Sequence, residues 1–162
     1  MEQQVSVNRT RSLEMRILTE AVIRHAEAEG LTIPEPAIEQ QAFELDLEED
    51  NRYVGVVAGF FAAMATLQAN TESAPPTEQD QREVYDHLVE AGLTTASFEE
   101  AQPVLTEELM GRQASLRSQL LEIVAQADVR VNPRYDLVYR VPVPVGSGES
   151  WLGVPLGEDG SD

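Results

Sequence analysis

Residues Ser97 to Ala127, SFEEAQPVLTEELMGRQASLRSQLLEIVAQA, decide the fold, because their apolar members recur at helical spacing. Phe98, Ala101, Leu105, Leu109, Leu116, Leu120, Ile123 and Ala127 follow one another at steps of three, four or seven, which places them on one side of an α-helix. Ser97 can cap the first turn while Glu100 reaches back to its amide, a capping box. Pro103 removes one helical hydrogen bond, and Gly111 softens the middle beside Arg112 and Gln113. The spacing predicts a long helix with a weak centre. One apolar stripe on so long a helix needs other helices to cover it.

Working outward, Ser12 to Glu29 repeats Leu13, Ile17, Leu18, Ala21, Val22, Ala26 and Ala28 helically, and Gly30 stands where a left-handed cap belongs. Pro34 and Pro36 open a second helix carrying Ile38, Ala42, Phe43, Leu45 and Leu47. Its acidic end, Glu48, Glu49 and Asp50, opposes the helix dipole, so fraying or a bend near Asn51 is expected. Arg52 to Asn70 is apolar nearly all round, which suits the buried central helix of a small bundle. A second reading opens part of this helix, Phe60, Phe61, Met64 and Leu67, to apolar segments of another protein. After the linker TESAPP, Thr77 caps a fourth helix that Gly92 stops.

Beyond Ala127 the pattern changes. Val129, Val131, Leu137, Tyr139, Val141 and Val143 alternate with other residues, but Pro133, Pro142 and Pro144 exclude a central strand, leaving an edge strand or a polyproline-like arm. From Gly146 the composition reads as a flexible acidic tail, except for Trp151-Leu152-Gly153-Val154-Pro155-Leu156. Trp151, Leu152, Val154 and Leu156 must dock, either on the chain's own core or on a partner. The expectation is a mainly α fold: four to five helices closed by a long C-terminal helix over residues 1–127, an extended or β arm over 128–145, and a tail over 146–162.

Composition narrows the chemistry. The chain has 162 residues, 42% hydrophobic and 25% charged, enough for one core. Its 29 acidic residues against 11 basic ones give a formal net charge of -18, which makes nucleic acid an unsuitable partner. Every basic residue is Arg, so a Schiff base and a P-loop are out of reach. The absence of Cys removes disulfides, thiol nucleophiles and thiolate metal sites. His25 and His87, the two imidazoles, lack metal-ligand spacing. The acidic run Glu44, Asp46, Glu48, Glu49 and Asp50 lacks the calcium-loop pattern, and Gly146-Ser147-Gly148-Glu149-Ser150 lacks that of a nucleophile elbow. No catalytic residue, cofactor or metal is expected. The longest apolar run, Val54 to Leu67, is short for a membrane span and broken by Gly55 and Gly59. The N-terminal residues do not form a signal peptide. Asn8-Arg9-Thr10 matches a glycosylation triplet that chance supplies often.

Three segments, in order, carry a resemblance. Ala26-Glu27-Ala28-Glu29-Gly30, ending the first helix, with Leu31-Thr32-Ile33-Pro34-Glu35-Pro36-Ala37-Ile38, opening the second, resembles the N-terminal domain of SurA-like periplasmic chaperones. Ser97 to Leu105, SFEEAQPVL, is similar to the stretch before that domain's long closing helix. Ala127 to Tyr135, ADVRVNPRY, looks like the helix-to-strand ending of actinobacterial SurA-like proteins, many of them lipoproteins. Together they span about Ser12 to Tyr135.

The resemblance implies an extracytoplasmic, helical, non-enzymatic chaperone of the cell envelope that holds unfolded or partner polypeptides without ATP. Only about thirty residues follow Val131, too few for the parvulin domain that such proteins often add, so isomerase activity is not carried over. If Met1 is the true start, the location is cytoplasmic instead. The alternative is an accessory or scaffold subunit of an envelope complex that docks through its C-terminal arm.

Overall fold

The computed structural model describes residues 9–132 and 134–157. Asn8 of the glycosylation triplet, Pro133 of the arm and residues 158–162 of the acidic tail lie outside the described residues. The chain is mainly α, with helices α1 (Arg9–Glu29), α2 (Ile38–Leu45), α3 (Arg52–Ala69), α4 (Glu78–Glu90), α5 (Phe98–Ala101) and α6 (Glu107–Gln126), then strands β1 (Val138–Val145) and β2 (Gly148–Pro155). The expected class, a helical chain with a short extended arm, is the one adopted. Two compact units divide it. One takes residues 9–69, 123–132, 134–137 and 156–157; the other takes Asn70–Glu122 and Val138–Pro155.

In the first unit, α3 packs on α1 and α2. Leu18, Ala21 and Val22 of α1 are buried, as are Val54, Ala58 and Ala63 of α3. Gly30 has φ +69°, the amide of Leu31 donates to Ala26 O at 2.8 Å, and so the C-terminal carbonyls of α1 are satisfied in a Schellman motif. α2 ends earlier than its acidic run suggests. Asp46 turns left-handed (φ 54°) and the Leu47 amide donates to Ala42 O at 3.0 Å. The bend expected near Asn51 is a new start: its Oδ1 accepts the Tyr53 amide at 2.9 Å and caps α3. By length and mean hydropathy (1.2) α3 could cross a membrane, but eight of its residues, Val54 and Ala63 among them, are buried within the protein, as in a core helix.

In the second unit the long helix begins at Glu107 rather than Ser97. The Ser97–Glu100 capping box forms as expected, with the Ser97 amide donating to Glu100 Oε2 at 2.8 Å. It starts only the four residues of α5, after which Gln102–Val104 tightens into a 3₁₀ turn. Pro103 has no amide to continue the helical ladder, and Thr106 restarts it by accepting the Leu109 amide on Oγ1 at 3.3 Å. Gly111 stays inside α6. A Cβ there would lie 2.6 Å from both Ala74 O and Ser73 Oγ, so only Gly lets the 73–74 segment pass this close. Met110 and Ala114 take the buried places expected of Leu109.

The tail expected from Gly146 onward instead turns back. Gly146 (φ 58°) and Ser147 form a two-residue turn, and Gly148–Pro155 pairs antiparallel with β1, Val141 opposite Leu152 and Pro142 opposite Trp151. A Gly with positive φ as first turn residue matches the twist of a hairpin. Gly153 directs its N–H to Glu83 Oε1 at 2.8 Å and its carbonyl to Arg117 Nε at 3.0 Å, away from β1. Arg140 and Gly153 are therefore a pair that exchanges no ladder bonds, and by alternation so are Pro142 with Trp151 and Pro144 with Glu149. Both prolines sit where the missing amide costs the ladder nothing.

Candidate functional site

In the first unit α2 is eight residues long, with Ala42 buried and Ile38 and Leu45 half-buried along one apolar stripe, and Gln41 also buried. Phe43 stands five residues from Ile38 and two from Leu45, off that stripe, and is 87% exposed. On α3, Phe61, Ala65 and Gln68 follow at steps of four and three and form a narrow open strip; Phe61 is 53% exposed. Phe61 borders an open groove of about 340 Å³ between α2 and α3, with Pro34, Ala37, Ala58 and Ala62 as apolar walls and Glu35, Gln40, Gln41 and Glu44 as polar rim. Gln40 also borders a second hollow of about 560 Å³ under Phe43, with Glu39, Glu48 and Glu49 around it.

Of the four residues that the sequence offered as polypeptide contacts, only Phe61 is open. Phe60, Met64 and Leu67 are 4%, 3% and 3% exposed and belong to the core, as the buried-helix reading has it. Adjacent Phe60 and Phe61 meet edge to face at 5.7 Å, one ring buried and one exposed. Phe43, one of the apolar residues that the second helix carries, is more open than Phe61. The signal was present in its spacing: no apolar neighbour lies three or four residues from it on α2 apart from Leu47 beyond the helix end.

The rim is all acid and amide. The Glu44 carboxylate accepts from the Gln40 side-chain amide at 2.9 Å and from that of Gln41 at 3.4 Å, which holds it at the groove edge. Neither hollow is lined by Arg or His. Among the described residues no ion pair involves Glu35, Glu39, Glu44, Glu48 or Glu49.

The C-terminal residues are used at home. Leu152, Val154 and Leu156 are fully buried, and Ser150 Oγ donates to Val84 O of α4 at 2.9 Å. Trp151 is half-buried: His87 stacks on one face at 3.6 Å between centroids, and the Arg140 guanidinium lies 4.3 Å from the ring centroid. His87 Nδ1 is 2.8 Å from Trp151 O, and since a carbonyl only accepts, Nδ1 carries the proton. As a partner-docking patch these residues are closed, apart from Trp151, because hairpin pairing turns their apolar face inward. Among the described residues no group of three or more His, Cys, Asp or Glu is placed to hold a metal ion.

No protein-family model matches the chain, and no curated protein or solved structure is similar enough to count as a relative.

Proposed function

We propose that the chain is a non-enzymatic, chaperone-like polypeptide-binding protein that shields apolar segments of client proteins in the cell envelope. The observation that carries this reading is the exposure of Phe43 and Phe61, each bordering an open hollow and the two hollows sharing Gln40, while nearby Ala42, Val57, Ala58 and Phe60 are buried. Leaving two large aromatics in water has a cost, and covering one with a client side chain returns about 1.5–3 kcal/mol before association costs are subtracted. The resemblance to SurA N-terminal domains supports the same reading and the envelope location.

The test is light scattering of a chemically unfolded reporter protein diluted into buffer with or without this chain. The wild-type chain suppresses aggregation; the double variant F43S/F61S loses most of that effect and keeps its melting temperature, because exposed substitutions usually change stability by only about 0.5 kcal/mol. F60S, at a buried position, unfolds the protein instead. Full suppression by F43S/F61S would overturn the reading.

A further inference from the structure

The open surface of α2 and α3, where the groove beside Phe61 and the hollow beside Phe43 share Gln40, has apolar walls and rim carboxylates that no ion pair among the described residues engages. We infer that its preferred occupant is an apolar polypeptide segment flanked by arginine, an inference that rests on the polypeptide-binding reading. Glu39 and Phe43 are one helical turn apart and share a face of α2. Glu44, held by two amides, borders the groove beside Phe61, and Glu48 and Glu49 border the hollow beside Phe43 together with Glu39. All are carboxylates, and no cation of the described chain answers them.

Among the described residues the complete arrangement is present where α4 meets α5. There Glu78 accepts from Arg82 Nε at 3.0 Å and from Nη2 at 2.8 Å, and the guanidinium carbon lies 4.2 Å from the centre of the Phe98 ring. A carboxylate, an arginine and an aromatic ring satisfy one another. On α2 the carboxylate and the ring are present, in Glu39 and Phe43, and the guanidinium is missing. Arginine fits better than lysine because its planar, weakly hydrated guanidinium both lies flat on a ring and forks onto a carboxylate. A client whose apolar run is bordered by arginine supplies the missing group and covers the apolar walls together. A net charge of -18 adds long-range attraction for the same sequences.

The experiment is fluorescence anisotropy with the full chain and labelled synthetic peptides that share one centre of Leu, Phe and Val but carry Arg, Lys, Gln or Glu at both ends. At low salt the Arg-ended peptide binds about tenfold more tightly than the Gln-ended one, with Lys between them and Glu weakest, as close opposite charges dictate. In about 1 M NaCl, where the screening length is about 3 Å, the Arg advantage shrinks to little. The variant E39Q/E44Q/E48Q/E49Q loses the Arg preference and still binds the Gln-ended peptide. Equal binding of the Arg- and Gln-ended peptides, lost in F43S/F61S, overturns the arginine inference and leaves polypeptide binding standing. No peptide binding at all overturns both. Reversible dimerisation that F43S/F61S abolishes and no peptide displaces assigns the groove to a second copy of the chain, and overturns the inference as well.

Discussion

Arg117 donates from Nε to the carbonyl oxygen of Gly153 at 3.0 Å, and so fastens the middle of α6 to the outward-facing backbone of β2. Its terminal nitrogens hold Asp80 at 2.9 Å and Glu83 at 2.8 Å, and Glu83 in turn accepts the Gly153 amide at 2.8 Å. Asp80 has a second duty, since its other oxygen closes the capping box of α4 with Thr77. One guanidinium thus organises two carboxylates and a strand edge.

Removal of Arg117 strands that arrangement. The side chains involved are only 11–23% exposed, so R117A leaves two nearly buried carboxylates facing each other and costs about 3–5 kcal/mol. R117K keeps the charge but not the three-way fork and recovers only part of the loss. Urea unfolding followed by circular dichroism measures both. A loss under about 1 kcal/mol for R117A would show that water replaces the clamp.

At Gly111 two local effects compete. Alanine improves helix propensity by about 1 kcal/mol. Its methyl group would also press on Ala74 O and Ser73 Oγ at 2.6 Å, with backbone on one side that cannot swing away. Strain wins, and G111A should lower stability by about 1–3 kcal/mol in the same urea experiment.

Glu100 makes one prediction about pH. Hydrogen bonds from the Ser97 backbone amide, and then its side chain, hold the carboxyl below its ordinary value. A lowered folded-state pKa means that the stabilisation is present above the unfolded carboxylate value and is lost as pH falls through the folded one. The melting temperature of E100A should therefore fall below that of wild type at neutral pH, and the gap should close in acid. A gap independent of pH would remove the charged cap as its cause.

The helix ends were legible because their chemistry is local. Gly30, Gly92, Thr77 with Asp80 and Ser97 with Glu100 each act within a few residues of themselves, and all four form as their spacing implies. The break at Gln102–Val104 was only half legible: Pro103 marks it, but whether a proline bends a helix or ends it depends on the next cap, here Thr106. The hairpin was hidden behind composition. Gly146-Ser147 between alternating valines and Trp151-Leu152 is a turn signal, yet the Gly, Ser and Glu around it read as loose chain. The groove was harder still, because α3 is apolar on every side and periodicity cannot choose between Phe60 and Phe61 when almost every neighbour is hydrophobic. Contacts far apart in sequence, such as those of Arg117 with Gly153, leave no periodic trace.

Pro142 and Pro144 face their nitrogens away from β2, and that orientation has a consequence for the molecule in a crowd. Sheets grow into fibrils when a foreign strand finds a free row of donors along the last strand. Along this row two successive outward positions have no proton to offer. A foreign strand that approaches the valine-rich hairpin along β1 therefore meets a broken row and cannot pair there in continuous register.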